Sequence, residues 1–261
     1  RQRQMCIRDS YYTIQDITKH DAPPSQFLQN PYWQHYKILA DYVARMSVLI
    51  TNTTADIQIA VLDPVADLWT KMANPIRSFD YVGESETERQ RCEMVRENWV
   101  NTCKCLLFGQ LDYDHLDAEI LREAQVSEGR IRIGEACYSV VVLPMCHCLE
   151  RDARLKLSEF VKQGGCLISV DSQGQETSFI SIDSEESDYE ACEEWNALLQ
   201  KAHKASLTAV PANENCSSLI SVCKKHTDTA ASVNVISDNY KDIISCVRKD
   251  TAGSILSLIH I

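Results

Sequence analysis

Short apolar runs alternate along the chain with stretches in which apolar residues return every third or fourth position, the signatures of buried strands and amphipathic helices. The strongest run is TyrSerValValValLeu at 138–143, ended by Pro144. Its apolar residues are continuous rather than alternating, as expected of a strand covered on both faces. Leu149, Ala153, Leu157 and Phe160 then form one stripe of a helix over 150–163, stopped by Gly164-Gly165, and a further apolar run fills 166–170. Strand, helix and strand within about 35 residues predict a right-handed crossover between parallel strands.

The same reading extends to both sides. Asn30 as N-cap and Pro31 at the first helical position open a helix whose apolar residues include Ile38, Leu39, Tyr42, Val43, Met46, Leu49 and Ile50. A β-branched run at 57–62, closed by Asp63-Pro64, is the first expected strand. A long helix over 84–107 carries Cys92, Val95, Trp99, Cys103 and Leu106 on one side. Further expected elements are a strand at 111–113, a short helix at 117–124, a small hairpin at 126–133, helices at 190–202 and 216–225, and strands at 233–236 and 243–249. Alternating β and α elements with apolar strands predict a doubly wound parallel α/β sheet, flavodoxin-like or class I glutamine amidotransferase-like.

The chain has 261 residues, 26 basic and 37 acidic, for a formal charge of −11. An acidic balance argues against a phosphate backbone as partner, and no apolar run approaches the roughly 20 residues of a membrane span. Twelve cysteines are spread over the whole length, several at apolar helix or strand positions, which reads as reduced core thiols in a reducing, cytoplasmic setting. The strings MetCysIleArgAspSer at 5–10 and LeuSerLeuIleHisIle at 256–261 resemble translated adapter sequence, so the expectation is a fragment.

Candidate chemistry is sparse. Cys146 follows the 138–143 strand with His147 beside it, the position of a nucleophile elbow, but the glycines of an elbow are missing. Cys146, His147 and Cys148 with Cys103 and Cys105 offer zinc-type donors at a spacing unusual for a structural site. Asp112, Asp114 and Asp117 are candidate glycosidase carboxylates that serve equally as helix caps. Nine acidic residues and no Lys or Arg lie between Asp171 and Glu194, read as a solvated loop, with calcium or a basic partner as the alternative. No Gly-x-Gly-x-x-Gly or P-loop pattern is present, so no nucleotide cofactor is expected. Phe27, Tyr32, Trp33 and Tyr36 form an aromatic cluster suited either to stacking on sugar faces or to interdomain packing.

Residues 23–50 and 55–64, with an aromatic Pro-x-Trp element, AspTyr-x-AlaArg at 41–45 and AspIleGlnIleAlaValLeuAspPro at 56–64, resemble the segment after the catalytic barrel in family 106 glycoside hydrolases, the α-L-rhamnosidases. Further similar stretches are LeuAspTyrAspHisLeuAspAlaGluIleLeu at 111–121, the 138–144 strand, PheValLysGlnGlyGly at 160–165, and 242–250. Asp63 departs from the family's usual Tyr, and 172–187 has no counterpart. The resemblance implies a parent that hydrolyses glycosidic bonds on a (β/α)8 barrel upstream of residue 1, with this chain as a non-catalytic accessory domain packed on that barrel. It implies a lead-in over 1–30, an α/β domain over 31–238 and the start of a β-rich domain over 239–261. No catalytic residue, metal ligand or cofactor is carried over, and Tyr32 and Trp33 are the positions expected to face sugar. The rival readings are a self-contained amidotransferase-like enzyme using Cys146 and a binding module built on the acidic loop.

Overall fold

The computed structural model describes residues 31–51, 53–71, 86–171, 179–183, 185–206, 216–227, 243–250 and 253–260. The chain divides into two compact units, Arg1–Thr54 and Ala55–Ile261. In the first, a 3-10 turn at Trp33–His35 leads into the helix Tyr36–Thr51. The helix thus begins several residues after Pro31, with Tyr32 as N-cap of the turn. Asn30, the expected cap, lies outside the described residues.

The second unit is α/β with a central parallel sheet. Across it the strands run Asp114–Leu116, Ile59–Leu62, Val140–Leu143, Cys166–Asp171, His203–Ser206, all parallel, which in chain order is 2-1-3-4-5. Strand alternation divides the core between the two faces. Ala60, Leu62, Val141, Leu143 and Leu167 meet Leu157 and Phe160 of the helix Arg151–Lys162 and Trp195 and Leu198 of the helix Asp188–Lys201. Ile59, Val61, Val140, Val142, Ile168 and Val170 meet Leu106 of the helix Glu86–Phe108 and Leu219 and Cys223 of the helix Ser217–His226. All four residues of Val140–Leu143 are buried, each contributing about 1.5–3 kcal/mol of apolar burial. This is the physical content of an uninterrupted apolar run.

Several expected boundaries move. The strand expected at 111–113 forms instead at Asp114–Leu116. After the long helix, Gly109 N–H and Leu111 N–H donate to the carbonyls of Cys105 and Leu106 while Gln110 takes a φ of 57°. That turn consumes the residues where pairing was expected, and Leu111 and Tyr113 become packing residues against the core. The hairpin at 126–133 becomes a three-stranded antiparallel ribbon, Gln125–Ser127, Arg130–Ile133 and Ala136–Tyr138, turning at Glu128 and Gly129 with φ of 52° and 68°. Tyr138 belongs to that ribbon, so the central strand starts at Val140. The helix Val65–Lys71 and the strand His203–Ser206 were not expected. Ile243–Asp250 is a strand as expected and pairs with Gly253–His260 in an antiparallel hairpin. The strand expected at 233–236 and the lead-in residues lie outside the described residues.

The cysteine expectation is corrected at two positions, since Cys105 and Cys216 form a disulfide. Among the described residues, Cys92, Cys146, Cys148, Cys166 and Cys223 are buried and take part in no disulfide. Among the described residues, no helix is long and apolar enough to cross a membrane.

Candidate functional site

In an open α/β sheet, the crevice outside the carboxyl ends of the strands, at the point where strand order reverses, is where ligands bind. Here the reversal falls between Ile59–Leu62 and Val140–Leu143. The first strand delivers Asp63 and, on the short helix beyond it, Asp67; the second delivers Met145, Cys146, His147 and Cys148.

Asp67 is completely buried in the first turn of its helix, where the dipole favours a carboxylate. His147 Nδ1 lies 3.0 Å from Asp67 Oδ2, and Cys148 Sγ–H donates to Asp67 Oδ1 at 3.5 Å. Thr70 Oγ1 contacts the same thiol at 3.6 Å. A buried carboxylate needs such partners, because burial without them costs several kcal/mol. The pair orients the imidazole with Nδ1 toward the aspartate. Imidazole and thiol both address one carboxylate, an arrangement that satisfies a buried acid.

Beside it, His115 Nδ1 lies 2.7 Å from Asp63 Oδ1, and its ring meets Trp99 and Tyr113 edge-on. Burial pushes the Cys103 thiol above its ordinary range despite a hydrogen bond with Tyr113. Burial likewise raises the Tyr113 hydroxyl.

The rival elbow reading of Cys146, which already lacked its glycines, gains no support from the side chain's burial. Cys146 is only 6% exposed and belongs to the core with Leu149, Ala153 and Leu157. The thiol that donates to Asp67 is that of Cys148. The five imagined zinc donors are not brought together either, since Cys105 is bonded to Cys216 and Cys103 faces Tyr113. Each of the three aspartates has a structural role. Asp112 accepts from Val247 N–H at 2.8 Å, Asp114 accepts from Tyr138 O–H at 2.9 Å, and Asp117 caps its helix by accepting from Glu119 N–H at 2.7 Å. Burial raises the Asp112 carboxyl above the usual carboxylate range.

The acidic stretch is tied down in its described part. Arg154, buried in its helix, pairs with Glu186 and Glu194 and lies 5.5 Å over the Phe179 ring. Ser187 and Glu190 form a reciprocal capping box for the helix Asp188–Lys201. These carboxylates are engaged within the fold rather than gathered around a cation.

Tyr32 is 73% and Trp33 37% exposed, and Trp33 stacks on Tyr36 with ring centroids 5.7 Å apart. Phe27 lies outside the described residues. At the opposite, amino-terminal end of the sheet, Cys166, His203 and His226 bring their ligand atoms within 4.8 Å of one another. Sequence reading missed this group, because its members are distant in the chain and each looks unremarkable alone. A shallow cavity of about 540 Å³ between the helices Arg151–Lys162 and Asp188–Lys201, lined by Leu155, Glu159, Lys162 and Lys201, lies along the helices rather than at a strand end.

No protein-family model matches the chain, and no curated protein matches it. Among solved structures the chain is similar to part of Gan42B, a GH42 β-galactosidase, with a TM-score of 0.37 and 17% identity over 57% of this chain and 18% of that one. It is similar also to part of the β-galactosidase from Rahnella sp. R3, with a TM-score of 0.32 and 16% identity over 52% of this chain and 17% of that one. The chain therefore spans less than a fifth of either protein, and the likeness is a weak structural similarity to part of a glycoside hydrolase.

Proposed function

We propose that this chain is a non-catalytic α/β accessory domain of a glycoside hydrolase, with a parent that acts on α-L-rhamnosides or related glycans. The observation that carries the proposal is the apolar stripe on the helix Tyr36–Thr51, where Ile38, Leu39, Tyr42 and Val43 are 70%, 50%, 48% and 39% exposed. Ile38 with Tyr42, and Leu39 with Val43, are neighbours at helical spacing, so they make one contiguous patch. Such a patch marks a surface meant for another protein surface. The occupant we assign is the catalytic barrel that the sequence resemblance places upstream. The strand order 2-1-3-4-5 is that of flavodoxin-like doubly wound sheets, and it supports the flavodoxin-like reading of the fold. Tyr32 and Trp33, next to the patch in sequence, are proposed to line the sugar-facing edge.

The buried Cys146 speaks against an amidotransferase-like enzyme, and the engaged Glu186, Glu190 and Glu194 against an acidic-loop module. A cytoplasmic location is not part of the proposal, because the Cys105–Cys216 bond is of a kind that persists in oxidising compartments. The test is to assay the 261-residue chain alone, and the longer polypeptide of the same gene, against aryl α-L-rhamnoside and a panel of other aryl glycosides. Activity in the longer polypeptide alone is expected. Hydrolysis by the chain itself, or a gene without an upstream barrel, would overturn the proposal.

A further inference from the structure

We propose that Cys166, His203 and His226 bind a zinc ion at the amino-terminal edge of the parallel sheet. Their ligand atoms already lie within 4.8 Å of one another. Three separate elements deliver them. Cys166 is the first residue of the strand Cys166–Asp171, His203 the first of the neighbouring strand His203–Ser206, and His226 the last of the helix Ser217–His226. The framework behind them is fixed. Cys166 N–H donates to the Ser139 carbonyl at 3.2 Å, and Ser139 Oγ–H donates to the His226 carbonyl at 2.9 Å, which holds the helix end over the strand start. His203 pairs in register with Ile168.

The donor set selects the metal. One thiolate and two imidazoles suit a borderline-soft ion of tetrahedral habit, and carboxylate-preferring calcium or magnesium is disfavoured. With zinc bonds of about 2.0–2.3 Å, tetrahedral ligand atoms stand roughly 3.5 Å apart. The remaining gap is about an ångström, within reach of side-chain rotation. The two imidazole rings, at 5.1 Å between centroids and 48° between planes, are not locked in a stacked pair. His203 is exposed and His226 half-buried, so an ion has a path from solvent and the fourth position faces water. Cys166, at 4% exposure, supplies the inner ligand. On binding, its thiol proton leaves to solvent and the sulfur bonds the ion, with no change in oxidation state.

The test titrates the chelator-treated full chain with Co(II) and then with Zn(II). One equivalent of cobalt should bind with a thiolate-to-cobalt charge-transfer band, and one equivalent of zinc should remove that band. Cys166→Ser should abolish the band. His203→Ala, at an exposed position where folding is not at risk, and His226→Ala should each weaken binding at least about tenfold, the lower end of what loss of a mere supporting residue costs. Should Cys166→Ser fail to fold by circular dichroism, the two histidine variants decide alone. The proposal is overturned by binding below one equivalent, by a band that survives Cys166→Ser, or by an affinity unmoved in His203→Ala.

Discussion

Arg154 and Glu186 form an ion pair withdrawn from solvent, their side chains 2% and 3% exposed, between the helix Arg151–Lys162 and the loop before the helix Asp188–Lys201. The guanidinium also donates to the Leu149 carbonyl and to Glu194, so the fork is satisfied on several sides. Ser181 Oγ–H donates to Glu186 as well, at 2.8 Å.

Arg154→Met should therefore destabilise the chain by about 3–5 kcal/mol, the usual cost of leaving one member of a buried pair alone. Hydrogen bonding to Arg154 holds the Glu186 carboxyl below the ordinary carboxylate range. A depressed folded-state value means the stabilisation is present above the unfolded value, about 4.3, and is lost as pH falls through the folded one. Urea unfolding of the native chain and Glu186→Gln should thus differ at pH 7 and converge on acidification. A difference that stays constant with pH would refute the ionic role.

A Cβ placed on Gly165 would overlap the ring of Phe160, a core residue with no exposure. Phe160 is packed against the sheet and cannot retreat, so Gly165→Ala should cost at least about 1–3 kcal/mol, the range for overpacking. Gly134 makes the control, having a φ of +59° and nothing within 4 Å of an added Cβ. Gly134→Ala carries only the left-handed backbone penalty, about 1 kcal/mol, at the low end of the usual range of roughly 1–2 kcal/mol. Chemical denaturation of the two variants should rank them in that order.

The Cys105–Cys216 bond joins the long helix to the residue before the helix Ser217–His226 across 111 positions. Closing so long a loop is worth up to about 4–5 kcal/mol in the chain-entropy view. Reductant should lower the melting temperature of the native chain and leave the Cys105→Ser/Cys216→Ser double variant unmoved. Equal melting with and without reductant would show that the bond contributes nothing.

What could be read in advance follows from how local the cause is. Val140–Leu143, the Gly164-Gly165 stop and the Asp117 cap are dictated within a few residues, and each was legible. The strand His203–Ser206 was not, because an edge strand of mostly polar residues carries no apolar run. Arg154 carried no signal of its own in the sequence, because it turns inward to charges met only after a distant loop folds back. The pairing of Asp67 with His147 spans 80 positions, and that of Cys166 with His203 and His226 needs three elements in place. Long-range polar contacts of this kind have no periodicity to announce them.

The exposed helix gives the last prediction. Ile38 is 70% exposed on Tyr36–Thr51, so Ile38→Glu removes little buried surface and should change the stability of the 261-residue chain by less than about 0.5 kcal/mol. In the longer enzyme proposed above, the same charge would enter an apolar contact with the barrel and be desolvated there, at a cost of several kcal/mol. The longer enzyme carrying Ile38→Glu should then melt lower than its parent, while the isolated chain does not change. Comparing the two melting shifts separates a docking surface from a tolerant exposed helix, and equal, negligible shifts in both would remove the interface from the patch formed by Ile38, Leu39, Tyr42 and Val43.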